Sequence, residues 1–291
     1  MKKISRITLA QKALTDFFES TEKLVYTQAD FFQLIERSRG AWGLPQTTPP
    51  KQIVQKWLTA GLLKSHDFGT SEEEHHILYW YGDPSIYEIA AALRPRSYIS
   101  HYPAVLLHEL TTQVPKTIYV TQEQSKKPAK KSTLTQEGMD HAFGQPQRRS
   151  QQTLTYKEYT VVFLQGMFTA RTGVLLSSRY RNAFSLTSLE RTLIDITVRP
   201  NYAGGAFAVL DAYARALSRL STNKLLALLN AIPFIYPYHQ AIGFYLERAG
   251  YGGRALDSLQ QRGLDYRFYL DYGMEDPSFD KRWQLWHPKG M

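Results

Sequence analysis

Between Ile7 and Ser20 the apolar residues Ala10, Ala13, Leu14, Phe17 and Phe18 recur at the spacing of one helical face, which predicts a first amphipathic helix. A second start is marked at Thr27, whose hydroxyl can cap the first free amides. Asp30 stands at the third helical position, and Tyr26 can pack on Phe31 as a hydrophobic staple. Phe31, Leu34 and Ile35 form the inner face of this helix, and Gly40, Gly43 and Pro45 stop it. Thr48-Pro49-Pro50 announces a third helix, with proline in the first turn, where its missing amide costs nothing, and Thr48 placed to cap the amide of Lys51. Ile53, Val54, Trp57 and Leu58 then make one face, while Lys51, Gln52, Gln55, Lys56 and Thr59 make the other. After Gly61, the stretches 62–65 and 76–81 read as paired strands around a polar tip, 67–74, that carries Glu72, Glu73 and Glu74. Three helices followed by a hairpin predict a winged helix-turn-helix over residues 1–83.

Residues 84–291 carry a different pattern. A short helix is expected from Asp83-Pro84 to Leu93, an apolar segment from Tyr98 to Leu110, and a strand from Thr117 to Thr121. A short helix is expected after the basic loop 125–132, followed by strands at 153–164 and 173–178, rich in β-branched and aromatic residues. Residues 187–199 predict a well-marked helix, with Thr187 as cap, Glu190 as its capping-box partner and Pro200 as its stop. Helices at 206–220, 222–231, 238–249 and 253–262 and a last strand at 264–271 complete the chain. The expected class is α+β: a winged helix-turn-helix, then a larger mixed α/β domain with a small sheet and a helical C-terminal part, divisible near residue 185.

Charge changes this picture. The chain holds 35 basic and 26 acidic side chains, a net +9, which makes nucleic acid the first partner to consider. Residues 1–83 are balanced, so the whole excess falls in 84–291. It concentrates at Lys126, Lys127, Lys130, Lys131, Arg148 and Arg149, with Arg191 and Arg199 two turns apart on the 187–199 helix. In the first region the face that can meet DNA is Lys51, Gln52, Gln55 and Lys56, flanked by Thr48 and by Thr27 and Gln28. The lysines suit phosphates, and the glutamines suit base edges in the major groove.

Catalytic and metal chemistry finds little support. Cysteine is absent, which excludes disulfides and thiolate sites. His75/His76 and His101/His108 lack the convergent third and fourth ligands of a zinc site, and His108-Glu109 lacks the second histidine of a metalloprotease helix. No phosphate-binding Gly-rich loop or nucleophile elbow occurs, so neither a catalytic set nor a cofactor is expected. The apolar run 225–238 is broken by Asn230, Pro233 and Pro237, and Ile7–Ala10 is too short for a signal core. A cytoplasmic protein without membrane contact is expected.

The segments Tyr98-Ile-Ser-His-Tyr-Pro-Ala-Val-Leu-Leu-His-Glu-Leu-Thr111, Gln113–Val120, Ser188-Leu-Glu-Arg-Thr-Leu-Ile-Asp195, Arg199-Pro200 and Tyr202-Ala-Gly-Gly205 resemble the AbiEi antitoxins of bacterial abortive-infection systems. The resemblance implies a type IV antitoxin of phage defence that is also an autorepressor, monomeric or weakly associating, bound to inverted or direct repeats in promoter DNA. It further implies a second domain that counteracts a co-encoded nucleotidyltransferase toxin, commonly without a stable complex. Two other readings stay open: an RNA- or protein-binding regulator whose winged helix is only an interaction module, and an unrecognised nuclease in which Asp195 and Glu190 take part.

Overall fold

A computed structural model describes residues 5–69, 75–128, 134–177 and 184–291. The chain is a mixed α and β structure that divides into two compact units, one of residues 1–97 with 176–185, the other of 98–175 with 186–291. The break expected after residue 83 thus falls after Ser97. The Asp83 carboxylate accepts from Lys64 Nζ at 2.5 Å, within the first unit.

In the first unit, α1 (Arg6–Leu9) and α2 (Gln11–Ser20) replace the single helix expected over 7–20. They meet at Ala10, which packs in the core with Ile7, Leu14 and Phe18. Strand β1 (Val25–Thr27) leads directly into α3 (Gln28–Ser38), followed by α4 (Pro50–Thr59). Strands β2 (Lys64–Asp67) and β3 (Ile77–Trp80) form the hairpin, and α5 (Ile86–Ala92) closes the unit. The sheet is antiparallel in the order β1-β3-β2, with Tyr26 opposite Tyr79 and Ser65 opposite Tyr79 on the other side. Three residues of β1 are too few for an alternation test, so the strand was not anticipated.

The start of α3 follows the expected chemistry, that of α5 carries a capping box not expected from the sequence, and that of α4 departs from expectation. Thr27 Oγ1 accepts from the amide of Asp30 at 3.2 Å, and the Tyr26 and Phe31 rings lie 5.6 Å apart as a staple. Ser85 and Glu88 make a full capping box on α5. On α4, by contrast, Thr48 does not cap: Pro49 takes the N-cap position without a side-chain bond. The carbonyl of Thr48 instead accepts from Arg39 Nη2 at 2.9 Å.

The second unit carries β4 (Tyr98–Ile99), α6 (His101–Leu107), β5 (Thr117–Glu123), α7 (Gln136–Gly144), β6 (Thr153–Tyr156) and β7 (Tyr159–Gly166). Next come β8 (Val174–Leu176), β9 (Ser185–Thr187) and α8 (Leu189–Val198). The six-stranded sheet has the order β6-β7-β5-β4-β9-β8. Strands β5 and β7 run parallel, β6 pairs antiparallel with β7, and β4 pairs antiparallel with β5. The strand expected over 153–164 is therefore two strands, turned at Lys157, which takes the left-handed conformation with φ 52°. Residues 161–164 of β7 are all buried, as in a strand covered on both faces.

The cap of α8 is Ser188, not Thr187. Ser188 Oγ accepts from the amide of Arg191 at 3.2 Å, while the Thr187 hydroxyl bonds that of Thr192 at 2.7 Å. Glu190 makes no capping box; it accepts from the amide of Ser221 at 3.4 Å. A 3-10 turn (Pro200–Tyr202) precedes α9 (Ala206–Ala216), α10 (Thr222–Ala231), α11 (Tyr238–Arg248) and α12 (Arg254–Gln260). Their apolar faces share a core centred on Leu193, Ile196, Tyr213, Phe244 and Tyr245.

The strand expected over 264–271 shrinks to β10 (Phe268–Tyr269). It pairs with β12 (Leu285–His287), which also pairs with β11 (Ser278–Asp280). This C-terminal sheet is tied to α11 by buried Gln240, whose Nε2 lies 2.9, 2.8 and 3.1 Å from the carbonyls of Tyr266, Trp283 and Gln284. Gly243 is required there, because a Cβ would stand 2.1 Å from the Trp283 ring.

Candidate nucleic-acid interface and arginine-lined cavity

Helix α4 is two-faced. Ile53, Val54 and Trp57 are buried against the core, and the Trp57 ring lies 6.1 Å from Trp42 and 6.5 Å from Phe31. Lys51, Gln52, Gln55 and Lys56 are all exposed. The buried face fixes the rotation of the helix, so the polar face is presented rather than free to turn inward.

What positions the start of α4 was not read from the sequence. Arg39, at the end of α3, is buried and forks across Glu36, with Nε–Oε2 at 2.5 Å and Nη2–Oε1 at 2.6 Å. Its remaining donors reach the carbonyls of Pro45 at 2.5 Å and Thr48 at 2.9 Å. The planar guanidinium suits such a task, because its donors have fixed directions. One side chain thus holds both ends of the connection from α3 to α4. The Glu36–Arg39 spacing was the available signal, but the carbonyl partners are irregular backbone and leave no mark in sequence.

Thr27 and Gln28 stand at the start of α3. Thr27 is occupied by capping, and Gln28 Oε1 accepts from the Tyr79 hydroxyl at 3.3 Å while its residue stays exposed. The hairpin end is drawn together by Asp67, which accepts from the amides of Gly69 and His76 at 2.9 Å each and pairs with His75 Nδ1 at 2.5 Å. These bonds to the ionised form hold the Asp67 carboxyl at about 2. Glu72, Glu73 and Glu74, expected at this tip, lie outside the described residues.

In the second unit, the side chains grouped in the sequence as one basic surface separate. Arg148, Arg149, Arg191 and Arg199 all line a single cavity of about 690 Å³. Lys126 and Lys127 are exposed and do not line it, and Lys130 and Lys131 lie outside the described residues. Tyr98, His101, Asp195 and Tyr202 also line the cavity. Residues far apart in sequence, Tyr98 and His101, Arg148 and Arg149, Arg191 to Arg199, and Tyr202, therefore meet in one place.

The four arginines do different jobs. Arg191 is buried and bonded within the protein: Nε donates to Asp195 Oδ1 at 2.7 Å, and Nη1 donates to the Thr172 carbonyl at 2.6 Å and to Thr169 Oγ1 at 3.3 Å. Burial pushes the Asp195 carboxyl up from its ordinary range, and the Arg191 guanidinium opposes that shift. Thr169 in turn donates from its hydroxyl and amide to Glu123. The loop can approach only through Gly173, at φ 76°, where a Cβ would meet Arg191 Cβ at 2.8 Å.

Arg148, Arg149 and Arg199, by contrast, have no carboxylate partner among the described residues. Arg148 and Arg149 are exposed, and Arg199 is half-buried at the end of α8. Their loop is fixed by backbone bonds. The Tyr202 hydroxyl accepts from the amide of Ser150 at 3.1 Å and donates to the carbonyl of Arg148 at 3.3 Å, while Ser150 Oγ donates to the Phe163 carbonyl at 2.6 Å.

The ring of Tyr202 packs 5.3 Å from His101 and 4.9 Å from Tyr119. His101 bonds Ser100 Oγ through Nδ1 at 2.8 Å; burial first, then Arg199 and Arg191, pulls its pKa down to about 3. It is a neutral imidazole at physiological pH and adds no charge to the cavity. His108, grouped with it in the sequence, is turned away: its Nε2 donates to the Thr187 carbonyl at 2.7 Å. Among the described residues, no cluster of three or more His, Asp or Glu is placed to hold a metal ion. No helix among them is long and apolar enough to cross a membrane.

Fold and site together define a two-unit α+β chain, with an exposed Lys/Gln helix face in one unit and an arginine-lined cavity in the other. Among solved structures, the crystal structure of RV2827C protein from Mycobacterium tuberculosis is similar, with a TM-score of 0.56 at 14% sequence identity, over 98% of this chain and 92% of that one. At that identity the likeness concerns the fold alone. No family model and no curated protein matches the chain.

Proposed function

We propose that this chain is a cytoplasmic DNA-binding regulator, non-enzymatic, whose first unit is a winged helix-turn-helix with α4 as its recognition helix. The observation that carries the reading is the α4 face: Lys51, Gln52, Gln55 and Lys56 are exposed together on a helix whose other side is locked in the core. Lysines meet phosphates, and glutamines hydrogen-bond adenine edges in the major groove. The order of α2, β1, α3, α4 and the β2–β3 hairpin supports the same assignment. Gln28, at the start of α3, adds a backbone contact in this reading.

The resemblance of the 98–120 and 188–205 segments supports the remainder of the proposal: an antitoxin that represses its own promoter and counteracts a co-encoded nucleotidyltransferase toxin through the second unit. A mobility-shift assay with the DNA upstream of its own gene tests the DNA reading. The intact protein shifts that fragment, and Gln52→Ala with Gln55→Ala narrows the gap between cognate and scrambled DNA. Binding of both DNAs alike by the unaltered protein contradicts sequence recognition by α4.

A further inference from the structure

We infer that the cavity of the second unit is a binding site for a phosphorylated nucleoside, with the phosphate on Arg148, Arg149 and Arg199 and the base against the aromatic wall beside them. The inference goes beyond the DNA reading of the first unit and rests on the second unit alone.

The volume, about 690 Å³, falls in the range of small-molecule sites. The cavity is lined by Thr121 and Leu164–Gly166, from the carboxyl-terminal halves of the parallel pair β5 and β7. Ligands of α/β sheets bind preferentially beyond such strand ends.

The charge balance selects an anion. Among the described lining residues Asp195 is the one carboxylate, and Arg191 already neutralises it. His101, held neutral, leaves Arg148, Arg149 and Arg199 as uncompensated positive charge. Guanidinium forks bind phosphate oxygens bidentately, and the Tyr202 hydroxyl holds the Arg148–Ser150 backbone in place, so only the arginine side chains remain to be ordered by the ligand.

The rest of the lining selects an aromatic group. Phe234 and Tyr236, from the loop between α10 and α11, are half-buried and face the cavity. Tyr236 is supported edge-on by Phe143 at 5.3 Å and Phe234 by Tyr238 at 5.2 Å. Exposed Ile235 and Met167 stand at the rim. An inorganic anion alone would leave this wall wet, and an apolar ligand alone would leave three arginines unsatisfied. A nucleotide satisfies both, since a base stacks on aromatic faces and its phosphate takes the guanidiniums. The nucleotide is either free or the phosphorylated end of a nucleic acid strand.

Calorimetric titration of the full chain tests this with the four ribonucleoside triphosphates, the matching nucleosides, inorganic phosphate, and short RNA strands with and without a terminal phosphate. At least one nucleotide or phosphorylated strand is expected to bind, with the nucleoside, inorganic phosphate and the unphosphorylated strand weaker by about tenfold or more. Competition by free nucleotide assigns the free form, and binding of the phosphorylated strand alone assigns the strand end. Arg149→Gln, at an exposed position that folding does not need, and Tyr236→Ala should each weaken binding about tenfold while promoter binding stays unchanged. Absence of binding by every nucleotide and strand overturns the inference, as does binding that both variants leave intact. Loss of promoter binding by the α4 variants with nucleotide binding retained would separate the two sites.

Discussion

Arg39 in the first unit and Arg191 in the second are both buried, and both spend their guanidinium on the protein itself. Each pairs with one carboxylate on its own helix, Glu36 three residues before or Asp195 four residues after, and each reaches backbone carbonyls of a loop. Near each stands a second group of basic side chains with no carboxylate partner among the described residues: Lys51 and Lys56 on α4, and Arg148, Arg149 and Arg199 around the cavity. The difference between the units lies in that second group. On α4 the cations are spread along a convex, exposed helix among amides, which suits a long polyanion read from outside. In the second unit they converge on a concavity with aromatic walls, which suits a small anion or a strand end taken in. Overall charge alone hides this, since residues 1–83 are balanced yet expose a Lys/Gln helix face.

The comparison can be broken most severely at Arg191. Arg191→Ala strands the Asp195 carboxylate in a buried position and should cost about 3–5 kcal/mol, read from denaturant unfolding. The double change Arg191→Met with Asp195→Leu should recover most of that loss, because no charge then remains buried. A single change that leaves stability intact would show that the pair does not hold α8 to its loop.

Arg39→Ala is the counterpart in the first unit. It releases the carbonyls of Pro45 and Thr48 and should weaken promoter binding about tenfold without touching DNA, while nucleotide binding by the second unit is unchanged. Equal DNA affinity would mean that the connection needs no clamp.

The protonation behaviour of His101 sharpens the contrast, because the cavity encloses a buried histidine and α4 has none. Its folded pKa, about 3, is below the ordinary 6.5. The unfolded chain therefore takes up the proton first, and stability falls as pH drops from 6.5 toward 3. The loss is at most about 1.4 kcal/mol per pH unit. His101→Gln should flatten this slope relative to the unaltered protein in unfolding curves across pH 4–7. An unchanged slope would place the acid sensitivity elsewhere.

The smallest effects belong to single α4 lysines. Lys51→Ala and Lys56→Ala should each lower affinity alike for all DNA sequences and reduce the salt slope of log K by about one. An unaltered slope would remove that lysine from the phosphate contacts.

Much of the first unit was legible because its signals are local. Thr27 with Asp30, Tyr26 with Phe31, and the alternating faces of α4 all act within one or two turns. The misplaced caps, Thr48 and Thr187, each lie one residue before the actual N-cap, Pro49 or Ser188, and each is engaged elsewhere, the Thr48 carbonyl by Arg39 and the Thr187 hydroxyl by Thr192. The cavity was not legible as a cavity. Arg148, Arg199 and Tyr236 come together only through the packing of α8 and the α10–α11 loop against the sheet, a juxtaposition that no spacing encodes. Strands β11 and β12 were missed for a simpler reason, since three residues carry no period.

The central claim is that α4 reads DNA, and one measurement addresses it directly. The variant with Lys51, Gln52, Gln55 and Lys56 all changed to alanine is compared with the unaltered protein for affinity to its upstream DNA, with unfolding curves confirming an intact fold. The account predicts a loss of about 100-fold or more at unchanged stability, since all four side chains are exposed and none supports the core. Undiminished affinity in a correctly folded variant would contradict it.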